Sequence, residues 1–78
     1  MHVLPDDDSW LAEERRAIGN RIRAERERQN LTQERLILAA GIDRVTIWRV
    51  ETGEESKLST LLRIARVLGV PLRDLVGE

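Results

Sequence analysis

The sequence contains no cysteine, and its single histidine, His2, lies close to the N-terminus. Disulfide bonds and a Cys/His metal site are therefore excluded as means of holding the fold together, and side-chain packing must do this work. The three serines (Ser9, Ser56 and Ser59) also have no histidine near them in the sequence to act as a general base. We therefore expect a protein that is not an enzyme and that binds no metal or other cofactor.

Long apolar runs are missing as well. None approaches the roughly 18 residues that a membrane-spanning helix requires. The N-terminus carries Asp6, Asp7 and Asp8 and no apolar segment, so it does not resemble a signal peptide. The 78 residues suffice for one small domain but not for two. We expect a single cytoplasmic domain without a membrane partner.

The chain as a whole lacks the basic excess that is usual in DNA-binding domains, because 13 basic side chains are balanced by 14 acidic ones. The charges are unevenly distributed, however. Residues 1–14 carry a charge of −5, and residues 15–78 carry +4. Twelve of the 13 basic residues are arginine, whose planar guanidinium binds phosphate and guanine as a bidentate fork. The larger, basic part of the chain is therefore suited to a nucleic acid.

Two segments of different composition make up the chain. Residues 1–8 contain Pro5 and a run of three aspartates and have little to bury, which predicts a flexible acidic arm. Residues 9–78 contain the apolar periodicity and predict one folded domain. No segment is typical of a β-strand. We therefore expect an all-α protein with five helices around one core.

The first predicted helix runs from about Trp10 to Gln29, with Ser9 as the candidate N-cap. Apolar residues recur along it at intervals of seven and four, which is the spacing of one helical face: Leu11, Ile18 and Ile22. Gly19 costs about 1 kcal/mol relative to alanine in a helix interior. The helix is therefore expected either to continue through Gly19 or to break near it.

Two short helices joined by a tight turn follow between Leu31 and Gly53. Thr32 is a good N-cap for the first of them. Gly41 tolerates the left-handed backbone that ends a helix, and Asp43 can cap the next one. The inward faces of the two helices carry apolar residues three or four apart: Leu36, Ala40, Ile47 and Val50. Such a unit can place its second helix in a groove of DNA.

A polar loop then leads to a fourth helix that begins at Ser56 or Lys57 and ends at Gly69. Its apolar stripe is predicted to consist of five residues: Leu58, Leu61, Leu62, Ala65 and Leu68. Pro71 suits the first turn of a short fifth helix around residues 72–75.

Taken together, these features resemble the Cro and phage-repressor family, also called the xenobiotic-response-element family. Beyond the helix-turn-helix, the resemblance depends on four residues in the family's register (Arg26, Gln33, Glu51 and Gly53) and on the pattern of the fourth helix. It covers roughly residues 17–76. It implies a compact lambda-repressor-like domain of five helices with the helix-turn-helix at helices 2 and 3. It also implies a partly buried ion pair between Arg26 and Glu51.

The resemblance and the docking geometry of such motifs imply a sequence-specific regulator that binds double-stranded DNA. Base-edge contacts are expected from the outward residues near the start of the third helix: Arg44, Val45, Thr46 and Arg49. Phosphate contacts are expected from the start of the second helix and from the first helix: Gln33, Thr32 and Arg23. The remaining outward residue, Trp48, is expected to pack toward the fourth helix, with the DNA backbone or a partner subunit as alternatives.

A homodimer on a two-fold operator is expected, because a single reading helix contacts too few bases for useful selectivity. The C-terminal third contains more apolar side chains than a monomer of this size needs, so the dimer surface is predicted there: Leu68, Val70, Leu72, Leu75 and Val76. The alternative function is an antitoxin-like protein-interaction module on the same fold, which the acidic N-terminal part and Glu54–Glu55 favour. A membrane-surface helix at residues 15–28 is less consistent with the sequence, because Glu25 and Glu27 balance its arginines.

Overall fold

A computed structural model describes residues 8–77, so all of the predicted acidic arm except Asp8 lies outside the described residues. The described chain forms five α-helices in this order: α1 (Ser9–Arg28), α2 (Gln33–Ala40), α3 (Arg44–Glu51), α4 (Leu58–Leu68) and α5 (Leu72–Val76). Residues 8–77 contain no β-strand. The predicted all-α class with five helices is thus confirmed. No helix in this part of the chain combines the length and the apolar character needed to cross a membrane.

Helix α1 is continuous and passes through Gly19 without a break. Gly19 is buried against the last turn of α3, where an added Cβ would overlap the carbonyl oxygen of Val50 and lie 2.9 Å from that of Glu51. The glycine is therefore explained by the close approach of two helices. The predicted N-cap, in contrast, is wrong by one residue, because Ser9 is already helical and Asp8 occupies the cap position. The backbone oxygen of Asp8 accepts hydrogen bonds from the first turn.

The start of α2 and the start of α3 are each fixed by a side-chain cap. Thr32 Oγ1 accepts from the backbone N–H of Arg35 at 3.1 Å, and Asp43 Oδ1 accepts from that of Thr46 at 2.6 Å. The hydrogen bonds from Thr46 hold the pKa of the Asp43 carboxyl below its ordinary value. Gly41 ends α2 in the left-handed conformation with φ of 68°. Both predicted N-caps and the predicted helix end are confirmed.

The core lies where α1 meets the helix-turn-helix and α4. Helix α1 contacts α3, α4 and α5, and α2 packs on α3 and α4. Nine buried apolar side chains form this core: Ile22, Leu36, Ala40, Ile47, Val50, Ile64, Ala65, Leu68 and Leu75. The four inward residues predicted for the helix-turn-helix are all among them, so the phase of α2 and of α3 is as predicted.

The predicted inward face of α4 needs correction. The helix begins at Leu58, later than expected, and its buried residues include Ile64, which the predicted stripe omitted. Leu58 is 63% exposed and Leu62 is 48% exposed. The apolar residues of α4 extend around more of its circumference than the core can cover. Contacts with α2 and α5 decide which side of the helix is buried.

Two residues of the predicted dimer surface also belong elsewhere. Leu68 is 3% exposed and Leu75 is 2% exposed, because both fill the core between α1, α4 and α5. They cannot contact a partner without unfolding this region, so the prediction is wrong for these two. The remaining three members are half-buried: Val70, Leu72 and Val76.

Candidate nucleic-acid interface

Helix α3 presents to solvent a face on which cationic and apolar side chains lie together. Its inward side chains, Ile47, Val50 and Glu51, are buried and fix the rotation of the helix about its axis. The residues predicted to contact base edges lie on the rest of its circumference. Arg44, Val45 and Arg49 are exposed, and Thr46 is half-buried. They start at the first residue of α3, the end that reaches base edges when such a helix lies in the major groove.

Trp48 lies on this outward face and is 54% exposed. It lines an open pocket of about 280 Å³ together with Gln33, Arg44 and Val45. The prediction that Trp48 packs toward the fourth helix is therefore wrong. Ile47 and Val50 already fill the core side of α3, and the indole lies beside the start of α2 instead.

A groove of about 550 Å³ runs between α1 and α3, and we refer to it as the α1–α3 groove. Arg16, Arg23 and Trp48 are exposed residues that line it, and Gln33 lies at the same groove at the start of α2. Arg23 donates through Nη2 to Asn20 Oδ1 at 3.4 Å. The cations of α1 therefore adjoin the outward face of α3, so that one anionic ligand can contact both helices.

The floor of the α1–α3 groove is a buried network around Glu51. Arg26 donates from Nε to Glu51 Oε2 at 2.7 Å and from Nη2 to Glu51 Oε1 at 3.1 Å, which forms the ion pair implied by the family resemblance. A third donor, Arg26 Nη1, reaches the carbonyl oxygen of Leu31 at 2.9 Å. The hydrogen bonds to Glu51 raise the pKa of Arg26 above its ordinary value. The network joins α1, the loop before α2 and the end of α3.

Gln33 extends this network toward the surface. Its Nε2 donates to Glu51 Oε1 at 2.9 Å. A side-chain amide has two N–H donors, so one remains for an external acceptor. Thr32 Oγ1 acts as the N-cap acceptor, and its hydroxyl hydrogen can still be donated. The start of α2 therefore directs side-chain and backbone donors toward the same side of the molecule.

Sequence reasoning missed that both outward arginines of α3 have acidic partners. Arg44 Nη2 donates to Glu34 Oε1 in the first turn of α2. Arg49 Nε lies 4.0 Å from Glu54 Oε1 in the following loop, which is beyond hydrogen-bond distance. Arg44 and Glu34 are ten residues apart, which is not a helical spacing, so only the folded turn reveals their proximity.

Comparison with known proteins places this geometry in context. Residues 17–77 match the sequence profile of a family described as a helix-turn-helix domain. The chain is also similar to the crystal structure of the restriction-modification controller protein C.AhdI from Aeromonas hydrophila, with a TM-score of 0.76 and 31% sequence identity. That match covers 81% of this chain and 97% of the other. No curated protein matches the sequence.

Proposed function

Because this chain belongs to the helix-turn-helix domain family, we propose that it is a transcription regulator that binds a two-fold DNA operator as a homodimer. The observation that carries the proposal is the outward face of α3, where Arg44, Val45 and Arg49 are exposed on a helix anchored by Ile47 and Val50. The similarity to a restriction-modification controller supports a regulatory role.

In this proposal the outward residues of α3 read bases in the major groove. The guanidinium of Arg44 can bind O6 and N7 of one guanine, and Val45 can contact a thymine methyl group. Thr46 can donate to a base or a phosphate, and Arg49 lies one turn further along the helix for a second guanine or the backbone. The two arginines therefore carry most of the expected sequence preference.

Phosphate contacts in the proposal come from the start of α2 and from the α1–α3 groove. Gln33 offers its second amide N–H, Thr32 its hydroxyl, and Arg23 its guanidinium. Because Gln33 is held by the buried carboxylate of Glu51, its position relative to α3 is fixed before DNA arrives. These contacts would orient the domain on the duplex without selecting a sequence.

Replacing Arg44 with alanine should weaken binding to the preferred operator by roughly 5- to 150-fold, the equivalent of losing a bidentate contact worth about 1–3 kcal/mol. It should also relax the preference at one base pair in each half-site. The measurement is selection of binding sites from random duplex DNA, followed by titration of the winning sequence at a fixed salt concentration. Arg28→Ala is the matched control, because Arg28 is exposed at the far end of α1 beside α5. An unchanged selected sequence would remove Arg44 from the reading face.

The dimer in this proposal forms through apolar residues that the monomer leaves accessible. Leu58 and Leu62 are four residues apart, so they share one face of α4, and both are exposed. We propose that a second copy of the chain covers this pair together with the three half-buried residues of the C-terminal end: Val70, Leu72 and Val76. Two reading helices would then meet half-sites about one helical turn apart.

A variant carrying Leu62→Glu and Val76→Glu should be a folded monomer with at least about tenfold weaker operator binding, because two charges would be buried at the interface. Sedimentation gives the oligomeric state, and circular dichroism gives the fold. Leu62→Glu alone serves if the double variant unfolds, since Leu62 is half-exposed. Leu38→Glu is the control, because Leu38 is 82% exposed on α2. An intact dimer in both test variants would place the interface elsewhere.

The second candidate function is a module that binds another protein in place of DNA. The exposure of Trp48 and Val45 on one outward face favours it, because large apolar side chains are common at the centres of protein interfaces. Failure to enrich any sequence from random DNA would support this alternative.

A further inference from the structure

Arg44 is held by a carboxylate in the free protein, and this contact has a consequence for DNA reading. We infer that Glu34 is a positioning residue for sequence recognition: it orients the guanidinium of Arg44 so that the fork meets guanine, and it withholds Arg44 from phosphates. The inference deepens the proposed function and rests on the role of Arg44 as a base reader.

The position of Glu34 relative to Arg44 is set by rigid elements. Glu34 is in the first turn of α2 and Arg44 is the first residue of α3. The N-terminus of each helix is fixed by a side-chain cap, Thr32 for α2 and Asp43 for α3. The buried residues Leu36 and Ile47 belong to the same core cluster. The backbone between the two side chains therefore has little freedom to move them apart.

The hydrogen bond between them leaves the reading atoms of Arg44 available. A guanidinium has five N–H donors, and Glu34 accepts one of them from Nη2. Four donors remain, and two of these suffice for guanine O6 and N7. Both side chains are largely exposed, so a DNA duplex can approach Arg44 without first removing Glu34. The carboxylate and the guanine can thus hold the same guanidinium at once.

Two effects of this contact favour a correct site over an incorrect one. The first is order: a flexible arginine loses rotamer freedom when it binds, and an arginine already held by Glu34 loses less. The second is charge: the carboxylate of Glu34 offsets the positive charge of Arg44 and repels the anionic phosphates, whereas the guanine base is neutral. Both effects reduce binding to unrelated DNA relative to DNA with guanine at the matching position.

Glu54 provides an internal comparison. Its carboxylate Oε1 lies 4.0 Å from Arg49 Nε, beyond hydrogen-bond distance, so it adds negative charge to the interface but does not orient a guanidinium. Replacing Glu54 with glutamine should change the affinity for all DNA sequences by a similar factor. Replacing Glu34 should change the ratio between sequences, so the two roles can be separated by experiment.

The test compares Glu34→Gln with Glu54→Gln and with Glu14→Gln, which removes an exposed charge from α1. Each variant is titrated with the selected operator and with the same duplex after the guanine assigned to Arg44 is replaced by adenine. Glu34→Gln should lower the guanine preference by about twofold to twelvefold, the range for immobilising one flexible side chain. The two controls should leave this ratio unchanged.

The Arg44→Ala background separates this inference from the proposed function. There Glu34→Gln should have no further effect on the ratio, because the side chain that it orients is absent. If Arg44→Ala itself leaves the ratio unchanged, the proposed reading role fails. If Arg44→Ala abolishes the preference while Glu34→Gln behaves like Glu54→Gln, the role of Glu34 alone is overturned.

Discussion

Replacing Glu51 with alanine is expected to lower the free energy of unfolding by about 3–5 kcal/mol. The buried guanidinium of Arg26 would lose both of its carboxylate contacts, and the side-chain amide of Gln33 would lose its acceptor. A domain of this size has a total stability of roughly 5 kcal/mol or a little more, so the variant should retain only about 0–2 kcal/mol and should be partly unfolded near 37 °C. Urea or thermal unfolding followed by circular dichroism gives the measurement.

Glu54→Ala is the matched control, since it removes an exposed carboxylate whose partner Arg49 is 4.0 Å away, and it should cost less than about 1 kcal/mol. A variant with both Arg26→Ala and Glu51→Ala should be less destabilised than the sum of the single changes, because neither partner is then left buried without the other. Equal losses for Glu51→Ala and Glu54→Ala would mean that the buried pair is not a main source of stability.

Gly19→Ala is the second change with a large expected effect on stability, and its sign is opposite to that of most glycine replacements in helices. Alanine normally gains about 1 kcal/mol over glycine in a helix interior. Here the new Cβ would meet the backbone oxygens of Val50 and Glu51, which cannot move without displacing the last turn of α3. A net loss of about 1–3 kcal/mol is expected. Unfolding in urea measures it.

Asn20→Ala is the control for Gly19→Ala, because Asn20 is the next residue in α1 and is exposed. Alanine there should be neutral or slightly stabilising, as helix propensity predicts. If Gly19→Ala also increased stability, the close approach of α1 and α3 would have to be looser than described, and the glycine would need another explanation.

Local features were predictable from the sequence because their causes lie within a few residues. The caps at Thr32 and Asp43 and the helix end at Gly41 each depend on one side chain and its neighbours. The inward faces of α2 and α3 were also predictable, because apolar residues three or four apart in each helix share one helical face. Ile47 and Val50 are an example.

Features that depend on tertiary contacts were harder to predict from the sequence. The apolar residues of α4 cover a wide arc, and only its packing on α2 and α5 decides that Ile64 is buried while Leu62 is half-exposed. The glycine at position 19 is explained by the carbonyl groups of Val50 and Glu51, which belong to a helix distant in the chain. Helix propensity alone could not distinguish a break in α1 at Gly19 from a close crossing of α1 and α3 at that residue.

In the candidate site, too, features with local causes were predictable and features that depend on tertiary contacts were not. The outward position of Arg44 and Arg49 follows from the phase of α3, which is set by its buried residues. The hydrogen bond between Arg44 and Glu34 depends on two long side chains that approach each other across the turn, and no periodicity in the sequence predicts it. The outward position of Trp48 was predicted, but its packing toward α4 was wrong, because a large apolar residue was assumed to seek a neighbouring helix.

The division of helix α3 into two sides has an evolutionary consequence. Ile47, Val50 and Glu51 support the fold, whereas Arg44, Val45 and Arg49 contribute almost nothing to the core. Mutations at the outward positions therefore cost little stability, so selection for a stable fold does not remove them. A lineage with this scaffold can change its target by single substitutions on one helix while the remaining sequence drifts slowly. Divergence of target preference should then precede divergence of structure.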